Sequence, residues 1–322
     1  MAETVWINGR FVARDEARVS AFDAGLLHSV GLFETMLAAP LAADPAGTRG
    51  RVVRIHQHME RLERSARALG LTESLKVRAL QELVEHVVER SGELGGEGTE
   101  GAEGRARVRL TITGGDLNLL ASTAKSPVEP TVMIHVQPAT RYPAEMFESG
   151  VVVGIAGLRS SPMNPFEGHK TIHYWPRLSE LRRAAGRGAA EALVLQVTGR
   201  VGGGTVSNAF LVKDGRLITP LARGEEARGG GEDDGEGLPS PVLPGVTRGA
   251  ILEMAEELGV TCERRAVESS ELLSADEVFL TNCSWGVLPV RQIESRLVGE
   301  GRPGELTGVL RERWLEMVRD EP

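Results

Sequence analysis

Apolar positions along the chain change period several times, and each change predicts an element. Val5-Trp6-Ile7 and Phe11-Val12 flank Asn8-Gly9, a dipeptide suited to a two-residue turn, so a hairpin is expected. Leu26, Leu27, Val30 and Phe33 predict a helix from about Asp23 to Leu37. Ile55, Met59, Leu62, Ala66 and Leu69 recur at helical spacing over 55–69, and Gly70 ends that helix. A further helix is expected from about Thr72 to Val88. Residues 107–112 alternate as a strand, and 132–136 form another. Residues 115–130 and 137–150 read as connections.

The second half opens with the apolar run Val151-Val152-Val153. A helix carries Leu178, Leu181 and Ala185, and strands follow at 192–197 and 208–213, with Lys213-Asp214-Gly215-Arg216 as a hairpin turn. Leu243-Pro244-Gly245-Val246-Thr247 leads into a helix ending near Gly259. Residues 278–280 and 287–290 bracket the turn Thr281 to Gly286. Strands and helices mix without a regular βαβ order, which predicts an α+β fold. Two glycine-rich acidic stretches, 92–104 and 221–240, are too poor in apolar groups to pack and predict surface loops.

A length of 322 residues suggests two domains, and 41% hydrophobic residues suffice for their cores. Net charge is −8 with no basic tract, which argues against a nucleic-acid partner. No apolar run is long enough for a bilayer, and the N-terminus lacks the basic and apolar regions of a signal peptide, so a cytoplasmic protein is expected. Cys262 and Cys283 form no disulfide framework. His56 and His58 lie two apart on a helix and do not share a face, so no metal site is expected.

Lysine is scarce: four occur among the 37 cationic residues. One of them, Lys170, lies in Gly168-His169-Lys170-Thr171-Ile172-His173-Tyr174-Trp175. Desolvation frees a neutral lysine amine for Schiff-base chemistry, which a guanidinium cannot perform. Taken alone, a surface lysine lying along apolar neighbours is the commoner case. Thr247 stands where it would cap a helix, and the N–H groups beyond a cap suit a phosphate, although most capping threonines hold no ligand. Arg61 shares its helix with Arg54, Arg64 and Arg67, and spacing does not single it out. The run Gly202-Gly203-Gly204 lacks the Lys-Ser/Thr end of a P-loop and the strand-to-helix context of a dinucleotide fingerprint.

Several segments, taken in order, resemble the class IV aminotransferase family, the fold type IV pyridoxal-phosphate enzymes. They are Gly31 to Thr35 with Arg54-Ile55-His56 to Arg61-Leu62; Lys170 with Tyr174; Gly199 through Phe210 with Lys213-Asp214-Gly215; and Leu243 to Arg248. Ala275 to Asn282 and Pro289-Val290 continue the match over nearly the whole chain. The resemblance implies a smaller N-terminal domain, 1–145, a larger C-terminal domain, 146–322, a cofactor in the crevice between them, and a homodimer. It implies that Lys170 binds the cofactor as a Schiff base and then carries the substrate α-proton. Arg61, the backbone of Val246 and Thr247, and the Cys283-Ser284 turn would hold the cofactor phosphate, and Tyr174 its phenolate oxygen. His28 and Arg109 are weaker candidates for the substrate side, and Arg109 reads equally as an outward-facing strand residue.

One position departs from the family pattern. Relatives place a glutamate where this chain has Gly203, and that carboxylate pairs with the pyridine nitrogen of the cofactor. Glu191 precedes it on the neighbouring strand and is not taken as a substitute. The implied activities are amino transfer between an amino acid and a 2-oxo acid, or 4-amino-4-deoxychorismate lyase activity releasing pyruvate and 4-aminobenzoate. The turn Thr281 to Gly286 and the segment Arg107 to Gly115 resemble the lyase. Cofactor binding with weakened catalysis, through the loss at Gly203, is the third possibility.

Overall fold

Asn8 and Gly9, at φ of 43° and 88°, close the first hairpin in the computed structural model, as the dipeptide predicts. The structure describes residues 4–41, 50–73, 75–92, 94, 104–116, 129–226 and 237–320. Of the two acidic stretches, 93, 95–103 and 227–236 lie outside the described residues, as do 117–128 of the expected connection. Contacts divide the chain into two units. One comprises 1–141, 169–173 and 318–322; the other comprises 142–168 and 174–317.

The first unit is built on β1 (Thr4–Ile7), β2 (Arg10–Ala13), α1 (Ala24–His28), β3 (Gly31–Pro40), β4 (Gly50–Val52), α2 (Ile55–Ala68), α3 (Val77–Ser91), β5 (Ala106–Thr113) and β6 (Val132–Pro138). Its strands form an antiparallel sheet in the order β2-β1-β6-β5-β3-β4. The apolar faces of α2 and α3 meet the sheet in one core that includes Met36, Met59, Leu62, Val84, Val88, Leu110 and Ile134. The helix expected over Asp23–Leu37 is corrected: α1 stops at His28 and β3 occupies the rest. Ser29 adopts the left-handed conformation, at φ 57°, and ends the helix. Beyond it, β3 is buried on both faces, so it lacks the period-two signature of a half-buried strand. The helix expected from Thr72 to Val88 begins later, at Val77, and runs to Ser91.

The second unit contains α4 (Glu145–Glu148), β7 (Val151–Ser160), α5 (Trp175–Ala185), β8 (Glu191–Gln196), β9 (Val201–Gly204), β10 (Asn208–Lys213), β11 (Arg216–Pro220) and α6 (Val246–Glu257). It continues with β12 (Cys262–Arg265), α7 (Ser269–Leu273), β13 (Glu277–Asn282), β14 (Gly286–Ile293), β15 (Arg296–Leu297) and α8 (Glu305–Asp320), the last residues of α8 counting with the first unit. The mixed sheet runs β12-β11-β10-β13-β14-β7-β8-β9, with β15 on β14. Parallel pairs β14/β7, β7/β8 and β11/β12 sit among antiparallel ones. Asp214 and Gly215, both at positive φ, close the expected turn into β11. The glycine run 202–204 lies in β9 and pairs with β8. No helix of the described residues is long and apolar enough to cross a membrane.

Candidate active site

In the first unit, the centre of β3 carries a carboxylate, Glu34, only 1% exposed. His58 and Arg61, three apart on α2, share the helix face that looks at it. Arg61 donates from Nε to Glu34 Oε1 at 2.9 Å and from Nη2 to Oε2 at 2.5 Å, a two-pronged pairing. His58 Nδ1 lies 2.7 Å from the same Oε2. Burial alone would raise the Glu34 carboxyl, but the Arg61 charge and the His58 hydrogen bond override it and hold the group down at about 2. Burial pushes the His58 imidazole below its usual range; the Arg61 and Lys170 charges add to that, against the pull of Glu34. His58 is therefore neutral near pH 7, with Nδ1–H donating to an ionised Glu34.

Lys170 belongs to this unit because residues 169–173 do. Phe33 N–H donates to Lys170 O at 2.9 Å, and Ile172 N–H donates to Gly31 O at 3.1 Å, so the segment lies along the start of β3. Lys170 Nζ stands 4.5 Å from the Phe33 ring centre, and the Arg109 guanidinium carbon 3.6 Å from it. Arg109 is half-buried on β5 rather than turned out to solvent. His28 ends α1 in an exposed position. The structure thus brings Arg61 onto Glu34, and Lys170 and Arg109 onto the neighbouring Phe33 of the same strand.

In the second unit, Tyr174 stands at the start of α5 and donates from Oη to Thr205 O at 3.3 Å. Thr205 lies in a turn held by Glu191, which is fully buried. Glu191 accepts from Ala192 N–H, Thr205 N–H and Val206 N–H at 2.9, 3.2 and 3.1 Å. The hydroxyls of Thr205 and Ser207 also donate to it. Five donors occupy the carboxylate, so it is committed to the turn. Gly203 sits at φ +119°, where a Cβ would stand 2.9 Å from Ser207 O.

Thr247 is not the cap of α6. Gly245 holds that place in an extended conformation, and Thr247 is the second helical residue, 4% exposed. A Cβ at Gly245 would overlap Asn208 Oδ1 at 2.0 Å, so a side-chain cap has no room there. The N–H groups of Val246 and Thr247 accordingly open the helix with no acceptor among the described residues. On the neighbouring strands, Asn208 pairs with Thr281 of β13, whose buried hydroxyl has no hydrogen-bond partner among the described residues. In the turn after β13, Ser284 N–H donates to Asn282 Oδ1 at 2.9 Å, so that backbone group is committed. Cys283 precedes it, half-buried.

A family model described as Amino-transferase class IV matches residues 31–293. The chain belongs to the class IV aminotransferase family. It is 27% identical to the putative branched-chain-amino-acid aminotransferase of Methanocaldococcus jannaschii, over 97% of this chain and 96% of that protein. It is also 27% identical to the aminodeoxychorismate lyase of Bacillus subtilis, over 95% of this chain and 92% of the other. Among solved structures, the branched-chain amino acid aminotransferase of Escherichia coli aligns at a TM-score of 0.81. That pair is 26% identical, covering 99% of this chain and 95% of the other. Another branched-chain aminotransferase structure that this chain matches, at a TM-score of 0.82, was solved with pyridoxamine 5'-phosphate. Within this class IV enzyme, sequence reasoning missed Glu34, His58 and the five-donor role of Glu191. An acid inside the apolar run Leu32 to Met36, followed by His and Arg three apart on an amphipathic helix, was the available signal for the first two.

Proposed function

We propose that this enzyme is a pyridoxal-phosphate-dependent aminotransferase that moves an amino group between an amino acid and a 2-oxo acid through Lys170. The observation that carries the reading is that Lys170 is hydrogen-bonded along the strand whose Glu34 orients the buried Arg61. A single buried carboxylate thus organises a guanidinium suited to phosphate in the same unit as the amine.

The residues present fit this cofactor. The uncapped start of α6 supplies two N–H groups that have no acceptor among the described residues and suit a phosphate. The Thr281 hydroxyl, without a partner among the described residues, is a further buried donor in the same unit. When bound, pyridoxal phosphate supplies a carbonyl that takes up the amino group and a ring that stabilises negative charge at the substrate α-carbon. Arg61, Val246, Thr247 and the Ser284 hydroxyl hold the phosphate in this account, Tyr174 orients the ring, and Lys170 moves the α-proton. Gly203 leaves the ring nitrogen without a carboxylate from that position, and Glu191 is occupied by its own turn.

The lyase is the second reading, favoured by the equal identity to the Bacillus subtilis enzyme and by the turn Thr281 to Gly286. The purified enzyme, incubated with amino donors and 2-oxo acids and separately with aminodeoxychorismate, separates the two. The aminotransferase reading expects new amino and oxo acids in equal amounts. Pyruvate with 4-aminobenzoate would replace it by the lyase. Cofactor uptake with neither product would leave a binding protein impaired at Gly203.

A further inference from the structure

Residues 169–173 form a strap held on two sides. On one side lie the hydrogen bonds from Phe33 and to Gly31 and the antiparallel bridge between Leu32 and Thr171. On the other, His169 Nδ1 lies 2.9 Å from Ser65 Oγ. Ser65 is buried on α2, four residues beyond Arg61 and on the same helix face. The strap is therefore fastened both to the strand bearing Glu34 and to the helix bearing Arg61.

We propose that His169 is a positioning residue, and that its hydrogen bond to Ser65 sets where the Lys170 amine stands relative to the Arg61 guanidinium. The proposal rests on reading Lys170 as the cofactor-binding amine, but the link is a property of the protein without cofactor. His169 is bonded to α2 through its side chain, while Lys170, the next residue, is bonded to β3 through its carbonyl. The backbone bonds to β3 act as an axis about which the strap can swivel, and a swivel moves the Lys170 side chain. The hydrogen bond from His169 to α2 opposes that rotation from the far side. Lys170 stands close enough to the cluster for its charge to act on His58. Its place therefore matters to the electrostatics of the whole group.

The scarcity of lysine makes the test direct. Reductive methylation of the apoprotein with ¹³C-formaldehyde labels the four lysines and the N-terminal amine, and Lys170→Arg assigns one signal. Ser65→Ala and His169→Gln remove the hydrogen bond, because glutamine places its amide near Nε2; His169→Asn places an amide near Nδ1 and retains it. Expected is a moved Lys170 signal in Ser65→Ala and His169→Gln, with the other three lysine signals unchanged. Pyridoxal phosphate should bind about three- to tenfold more weakly in both, the loss of one hydrogen bond, and His169→Asn should restore both readouts. An unchanged Lys170 signal and affinity in Ser65→Ala and His169→Gln would overturn the proposal, as would His169→Asn behaving like His169→Gln. Should Ser65→Ala not fold, the two His169 variants decide. A Lys170 signal that responds to Ser65→Ala in a wild-type background that takes up no pyridoxal phosphate would keep the link and remove the functional reading.

Discussion

Glu34 concentrates the chemistry of the first unit in one side chain. It neutralises Arg61, fixes the His58 tautomer and stays ionised although buried. Glu34→Gln keeps the shape but leaves the Arg61 charge unpaired inside the protein. Breaking a buried pair in this way costs about 3–5 kcal/mol, so urea denaturation should report a loss of that order, against little change for exposed Arg67→Gln. The pair also sets an acid dependence. His58 titrates below 6.5 when folded, so below that value the unfolded chain takes up a proton that the folded one refuses, and stability falls with pH. Glu34 acts in the same direction lower down, its contribution being present above 4.5 and lost as pH falls towards about 2. His58→Asn should therefore lose less stability than wild type between pH about 7.5 and about 5.5; an equal loss would contradict the assignment. None of this could be read by spacing alone, because α2 carries several arginines. Burial separates them: Arg61 is 5% exposed, whereas Arg64 and Arg67 face solvent.

At the scale of elements, both hairpin turns, α2 and most strands were legible, since their apolar spacing or turn residues are local signals. The span 23–37 was not. Leu26, Leu27, Val30 and Phe33 fit a helical period, yet Leu26 and Leu27 are exposed and Phe33 points from a strand. What decides is non-local: a Cβ at Gly31 would stand 2.6 Å from Ile112 O, so this glycine lets β3 start against β5. The run 202–204 carries no strand signal in its sequence, since glycine usually marks turns and here lines a strand beside Glu191. Restoring a glutamate at 203 meets that constraint. At φ +119°, with Ser207 O in the way, any side chain is strained by about 1–3 kcal/mol. Gly203→Ala and Gly203→Glu should both lower the melting temperature by similar amounts. Wild-type stability in both would mean that the backbone here relaxes freely and that charge alone distinguishes this position.

At the scale of the molecule, composition and order of elements gave an α+β chain with two cores, and the family resemblance supplied the site residues. The membership of 169–173 in the first unit had no sequence signal, because it depends on pairing across more than a hundred residues. The consequence is that the amine and the buried arginine belong to one body, built on β3 and α2. The central claim is that this amine takes the cofactor, and one measurement addresses it most directly. The enzyme is mixed with pyridoxal phosphate, reduced with borohydride, digested and mapped by mass spectrometry. A pyridoxyl adduct on the peptide containing Lys170, absent in Lys170→Ala, is the predicted result; no adduct, or one on Lys76, Lys125 or Lys213 instead, would contradict the account.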